Sequence, residues 1–459
     1  MQKKQTIIFF LIAAVLLITV QSTAFSFWEV HENNRLVQKA TLTGDENDEV
    51  ILAQLSGGNS NNNTFQVLAD PSPPTISDPN LRLERVITGL ERPTSMAFLD
   101  KDDIIITQKD NGRVRLVTNG TLQPLSILQV PVANNSERGL LGVAIANTTI
   151  TSSTAKTVFL YYTEPIGGDQ VRNRLYRYEW NGVGNMTGAQ LILDLPGEPG
   201  ANHNGGKIAI GPDRTLYAVI GDLNRDGMLQ NVIEGPPPDD SSVILRLDYN
   251  GNAVGSPSLS NGGVNLTKYY AYGIRNSFGF DFDPLTGLLW DTENGPADFD
   301  EINIVLPGFN SGWNRVMGPI GREGITTGDL VQFQGSHYAD PVFSWLQSIG
   351  VTDIEIFNSS SLGERYAYNM FVGDYTNGNL YFFTINSNRT GLELGNIAGL
   401  EDLVADNNEE LNAVIFGREF SGGVIDIETA PDGYLYVLTL AGDLYRIVPG
   451  APPPSPGVL

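Results

Sequence analysis

The strongest constraint in this sequence is a repeat. Between about Leu81 and Pro449, short β-rich runs come in pairs around turns of Asp, Gly or Asn: DIIITQKDNGRVRLV, TVFLYYTE with NRLYRYEW, TLYAVIGD with SVILRLD, LLWDTEN with EINIVL, YNMFVGDYTNGNLYFF, and YLYVLTLAGDLYRIV. Val, Ile, Leu, Tyr and Phe bounded by turn residues are the pattern of a hairpin on a half-buried sheet. Ahead of several pairs stands a third run ending in a similar turn, as in SMAFLDKDD, KIAIGPDRT, GFDFDPLTG and VIDIETAPDG. No amphipathic helix pattern separates them. A repeat of roughly 60 residues built this way predicts an all-β chain with a six-bladed β-propeller over residues 81–450, because radial repetition leaves only short protected edges. A β-sandwich is the alternative, but sandwiches seldom repeat one unit so regularly.

The ends read differently. Lys3 and Lys4 precede an unbroken apolar run from Ile7 to Val20, followed by Ser22 and Ala24. Residues 1–28 therefore read as a signal peptide or as a single-pass N-terminal membrane anchor with Trp28 at the interface. Residues 29–80, with GGNSNNNTF and DPSPPTISDPN, read as a polar linker, and residues 451–459 as a Pro-rich tail. Asn-x-Ser/Thr sequons at Asn62, Asn119, Asn134, Asn147, Asn185, Asn265, Asn358 and Asn388 suit an exported chain. The expected location is extracytoplasmic, secreted or membrane-anchored at the cell surface.

A formal net charge of -24 works against nucleic acid and anionic membrane surfaces as partners. The absence of cysteine removes disulfides, thiolate nucleophiles and cysteine-ligated zinc together.

Propellers carry function at the mouth of the central channel, on inner strands and the loops entering them. Only three histidines compete for the role of a neutral-pH base. His31 falls in the linker and His337, in GSHYADP, in a polar loop. His203, in ANHNGGKIAIGPD, precedes a strand through two glycines that let backbone approach a ligand. Asp222, at the end of YAVIGD in the same repeat, is a candidate to orient that imidazole. Arg275 and Asn276, in YAYGIRNSFGFDFDP, offer a cation beside a base, although an inter-blade ion pair reads equally well. DTENGPADFDEINIV supplies hard oxygen ligands suited to calcium without the spacing of an EF-hand, and a solvated acidic loop is the plainer reading.

Taken in order, RGLLGVAIA, NHNGGKIAIGPD, YAVIGD, YGIRNSFGFDFDP, TENGPADFDEINIV and GFNSGW resemble the glucose/sorbosone dehydrogenase family, which includes soluble quinoprotein aldose dehydrogenases. The resemblance spans about Leu81 to Pro449 and implies a six-bladed propeller. It implies an enzyme dependent on pyrroloquinoline quinone (PQQ) and Ca2+ that oxidises the anomeric carbon of aldose sugars to lactones and passes electrons to an external acceptor. By that resemblance His203 is the catalytic base, Asp222 its orienting carboxylate, and Arg275 with Asn276 the pair at the quinone. Glu137 falls at a substrate-side position. The carbonyls of Gly295 and Pro296 match ligands of the quinone-bound calcium, and Glu301 matches a structural calcium ligand.

The family's later blades place Lys and Arg around a cofactor with three carboxylates, and here the pattern departs. Thr376, Gly423 and Ile425 stand where basic residues are expected, and the same blades carry Asp353, Glu355, Asp374, Asp426 and Glu428. Carboxylates in place of cations repel such a cofactor, with Lys207 and Arg225 as candidate compensation. Two further readings therefore stand beside the dehydrogenase: a non-catalytic, calcium-stabilised binding propeller that has lost the quinone site, and a metal-dependent lactonase using a ring of channel carboxylates.

Overall fold

The computed structural model describes residues 73–450 except 147–154, 226–230, 233, 256–258 and 262–263, together with the backbone of strands Phe25–Glu32, Arg35–Leu42, Val50–Gln54 and Gln66–Val67. The chain divides into two compact units, Met1–Ser72 and Pro73–Leu459. In the first unit the four strands pair antiparallel in chain order, so part of the stretch read as linker carries regular backbone. Residues 1–24 of the expected signal or anchor, and the tail 451–459, lie outside the described residues. Among the described residues no helix is long and apolar enough to cross a membrane.

The second unit is an all-β, propeller-like body of successive sheets, antiparallel except for short outer pairs at Phe309–Asn310, His337–Tyr338 and Val404–Ala405. Each begins with an inner strand: Pro93–Phe98, Leu140–Ala146, Ile208–Ile210, Gly279–Phe282, Val351–Ile356 and Val424–Thr429. The next strands of each sheet follow outward in chain order, as in Val351–Ile356, Met370–Asp374, Leu380–Phe383 and Ile415–Arg418. Strands with neighbours on both sides and sheets above and below have no solvent face. Ile105 and Ile106, Leu216–Ile220 and Leu435–Thr439 are accordingly buried along their length, which is why these runs read as continuous apolar blocks rather than alternating ones.

The core lies between neighbouring sheets rather than at one centre. Ile105 and Val114 pack against Val143, Leu160 and Tyr162. Phe159 and Leu175 meet Ile208, Leu216 and Val243. Trp290 and Ile302 pack with Ile354, Val372 and Tyr381, Phe371 and Leu380 with Ile427, Val437 and Ile447. Finally, Leu438 and Leu444 return to Met96, Ile106 and Val117, joining the last sheet to the first.

Closure comes from pairing distant parts of the chain. Leu81–Ile87 pairs antiparallel with Leu444–Pro449, completing the last sheet with an N-terminal strand. Thr75–Ile76 also pairs, with Ile415–Arg418, so the folded body begins a few residues before the expected Leu81. The Pro-rich composition around it hid that short strand, whose two residues give no periodicity to read.

Candidate active site

A cavity of ≈ 500 Å³ sits at one mouth of the axis, lined by Ser95, Leu141, Lys207, Thr352, Ile425 and Asp426 from five inner strands and their approaches, and by the segment leading into the remaining one, Arg275, Asn276 and Phe278. His203, Glu137, Asn294 and Gly295 complete the polar wall, and Tyr375 and Leu440 add apolar surface. Of the sequence-derived candidates, this cavity gathers His203, Arg275, Asn276, Gly295 and Glu137.

His203 is held in an uncommon conformation for a non-glycine residue, with φ at 61°. Its N–H donates to Glu137 Oε2 at 2.6 Å, which anchors the turn across two sheets. Nδ1 lies 2.5 Å from Asp222 Oδ1. Gly221 makes this approach possible, since a Cβ there would run into the carbonyl oxygens of both Arg275 and His203. The N–H of Asp222 donates to the Arg275 carbonyl at 2.9 Å, so base, carboxylate and cation are tied through backbone. The second oxygen of Asp222 accepts from Trp313 Nε1 at 2.7 Å.

Arg275 stacks its guanidinium over the Trp313 ring at 5.3 Å and donates from Nη1 to the Asn294 carbonyl at 2.7 Å. Burial pulls its pKa down, against the nearby carboxylates of Asp222, Glu293 and Glu137. Two buried atoms at this wall, Arg275 Nε and Asn276 Oδ1, have no hydrogen-bond partner. Unmet polar capacity of this kind beside a cavity marks where a polar ligand group fits. Burial raises Glu137, with His203, Asn276 and Arg275 opposing it.

Other expected residues lie elsewhere. Pro296 is exposed beside Gly295 and does not line the cavity. Glu301 is on strand Asp298–Val305, paired in register with Glu293 and buried near Asp291. Burial, then the charge of Glu293, pushes both Glu301 and Asp291 well above the usual carboxylate range. Both oxygens of Asp291 lack a hydrogen-bond partner. His337 is half-buried, away from the cavity, and the side chain of His31 lies outside the described residues.

The charge balance differs from expectation in two ways. Lys207 Nζ lies 2.8 Å from Asp353 and 2.9 Å from Asp426, with Glu428 at 3.7 Å. Burial alone would depress Lys207, but those carboxylates hold it well above the usual lysine range. Two acidic residues of the later sheets are thus neutralised in part by Lys207, and Asp374 is engaged by Tyr381 and the Asn377 N–H instead of facing the cavity. Arg225, by contrast, is bound to Asp239 and the Glu198 carbonyl and offers no compensation there. The second difference is Arg92 and Lys109, which line the cavity from the first sheet and share Asp110, at 2.9 and 2.7 Å. Reading the strand edges of the first repeat as closely as those of the last would have found them.

A family model described as Glucose / Sorbosone dehydrogenase matches residues 90–446. Aldose sugar dehydrogenase YliI of Escherichia coli is 26% identical over 372 residues, covering 78% of this chain and 91% of that protein. Quinoprotein glucose dehydrogenase B of Acinetobacter calcoaceticus is 26% identical over 259 residues, covering 51% of this chain and 52% of its own length. Among solved structures, the PQQ-bound aldose sugar dehydrogenase of Streptomyces coelicolor superposes with a TM-score of 0.60 at 21% identity, covering 83% of this chain and 99% of that one, a likeness of fold.

Proposed function

This chain belongs to the glucose/sorbosone dehydrogenase family, and from that premise we propose that it is a PQQ- and calcium-dependent dehydrogenase that oxidises the anomeric carbon of aldoses to lactones outside the cytoplasm. We read its successive sheets as six blades, one for each inner strand. The observation that carries the proposal is His203, held from behind by Asp222, on the same cavity as Arg275 and Asn276 with their unpartnered Nε and Oδ1.

The residues present fit a planar, polyanionic quinone. Arg275 and Asn276 have free polar atoms for its oxygens, and Arg92 and Lys109 give its carboxylates a cationic wall where Thr376, Gly423 and Ile425 do not. Gly295 is placed to offer its carbonyl to the associated calcium, with Pro296 beside it. Asp291, whose oxygens are unpartnered, and Glu301 fit a second, structural calcium. A quinone held there would supply the acceptor for the hydride of the anomeric C–H, and a calcium held at Gly295 would supply charge withdrawal.

The protein's own groups supply the rest. Asp222 occupies Nδ1 of His203, so the other ring nitrogen is available to remove the proton of the anomeric hydroxyl as the C–H bond breaks. Arg275 stabilises negative charge on the neighbouring oxygen. Glu137 holds the His203 backbone and lines the cavity, where its carboxyl suits a hydrogen bond to a sugar hydroxyl. Phe278, Tyr375, Ile425 and Leu440 give the sugar ring an apolar surface. Turnover would need an external electron acceptor. A channel lactonase has less support, because Lys207 already sits among the carboxylates that would hold its metal.

Purified protein given calcium and PQQ should reduce a redox dye in the presence of an aldose, and His203→Ala should abolish it. Failure to reduce dye with any of a panel of aldoses, together with no quinone absorbance after desalting, overturns the reading and leaves the binding propeller.

A further inference from the structure

We infer that Trp313 is the positioning residue of this site: its indole N–H holds the second oxygen of Asp222 while its ring backs the guanidinium of Arg275, so one side chain sets both the base and the cation. Resting on the dehydrogenase reading above, the inference adds a residue to which GFNSGW, as a motif, gives no role.

The hydrogen-bond arithmetic around Asp222 is restrictive. Oδ1 faces His203 Nδ1 at 2.5 Å and accepts from the Asn224 N–H at 3.0 Å, while Oδ2 accepts from Trp313 Nε1 at 2.7 Å. An indole nitrogen donates and never accepts. N–H donors on both oxygens favour the ionised carboxyl, which can only accept, so His203 Nδ1 is the donor of the pair. That fixes the imidazole tautomer and leaves the other ring nitrogen for the cavity. Without the Trp313 donor, Oδ2 loses the contact that aims Oδ1 at His203, and the tautomer is held less firmly.

Trp313 is itself immobilised. It is buried at 9% exposure. Its N–H donates to the Gly273 carbonyl at 3.1 Å, and its carbonyl accepts from Asn231 Nδ2 at 2.9 Å. Asn231 and Asn310 exchange side-chain hydrogen bonds at 2.8 and 2.9 Å in the buried layer beneath. The backbone that carries the indole is thus fixed on both sides by the Gly273 carbonyl and a buried amide pair. A supporting shell of this kind is what keeps a reacting geometry within tolerance.

Trp313→Phe keeps the aromatic face under Arg275 and removes only the donor. In the full-length protein without added cofactor, the proton NMR resonance of His203 Nδ1–H, assigned by its loss in His203→Gln, should move upfield and exchange faster. In the loaded enzyme kcat should fall roughly 10- to 100-fold with KM little changed. Combined with Asp222→Asn, the loss should be no greater than that of Asp222→Asn alone, since both act on one group. Trp313→His, which retains a ring N–H, should recover part of the loss. An unmoved resonance in Trp313→Phe, or losses that add in the double variant, overturns the inference. The resonance is read without turnover, so an inactive wild-type protein with a shifted resonance would sink the dehydrogenase reading and leave the positioning role standing.

Discussion

His203 Nδ1 and Asp222 Oδ1 face each other at 2.5 Å across two segments that Gly221 brings together. A carboxylate can only accept, so the pair dictates which nitrogen of the imidazole carries the proton. Asp222→Asn substitutes an amide whose N–H can point at Nδ1 and favour the opposite tautomer. The expected result is a fall in kcat/KM of roughly 10²- to 10⁴-fold, with the circular dichroism spectrum unchanged. Steady-state dye reduction measures it.

The cationic wall should govern cofactor affinity. Lys109 is buried and shares Asp110 with the more exposed Arg92. Lys109→Gln should weaken PQQ binding about tenfold, the order expected for one charge-assisted contact. Asp110→Asn should have the opposite sign, because it releases both cations from their present partner. Calorimetric titration of the apo protein checks both, and equal affinities in all three proteins would count against the assignment.

Calcium should stabilise the protein through Asp291 and Glu301. Three carboxylates, Asp291, Glu293 and Glu301, are buried close together, and Asp291 has no hydrogen-bond partner for either oxygen. Burial raises all three, and the charge of Glu293 adds to it at Asp291 and Glu301; a divalent cation relieves both costs. Adding calcium should raise the melting temperature and a chelator should lower it. In Asp291→Asn with Glu301→Gln that response should shrink, while the apo form melts no lower than wild type.

Much of this was legible in the sequence, for identifiable reasons. Hairpin runs such as YLYVLTLAGDLYRIV carry their own turn chemistry and strand length, so a local pattern reports a local structure. His203 and Arg275 could be found because each leads into an inner strand, and Asp222 because it ends the strand that follows His203's own. What sequence order could not give was charge pairing across the axis. Lys207 meets Asp353 and Asp426 over separations of 146 and 219 residues, so carboxylates that read as repelling a cofactor are in part already paired. Arg92 and Lys109 enter the same cavity from the opposite end of the chain to the segments where cations were expected. Trp313 reaches Asp222 over 91 residues, and nothing in GFNSGW announces which group its indole will meet.

The acidic channel should make the fold less stable as pH rises through neutrality. Burial pushes Asp281 up to about 6 from 3.8, with the Ile356 and Phe282 N–H groups and Lys207 opposing. Burial also pushes Glu428 up to about 8 from 4.5, with Asp353 and Asp281 adding and Lys207 opposing. Each group binds its proton more tightly folded than unfolded. Between the unfolded and folded values the native state therefore holds more protons, and stability falls with increasing pH. Below about pH 4 neither group contributes a slope, and above about pH 8 both are ionised in either state. His337, lowered by burial, runs the other way, but it is one group against several. Surface carboxylates with depressed values, such as Asp194 and Asp213, complete their titration below this window. The melting temperature in calcium-free buffer should fall from pH 5 to pH 8. Glu428→Gln removes one of the raised groups while leaving Lys207 its Asp353 and Asp426 partners. It should leave the pH 5 value near wild type, raise the pH 8 value, and flatten the profile. Parallel profiles for the two proteins would show that Glu428 is ionised throughout and that the carboxylates around Lys207 carry more negative charge than it offsets.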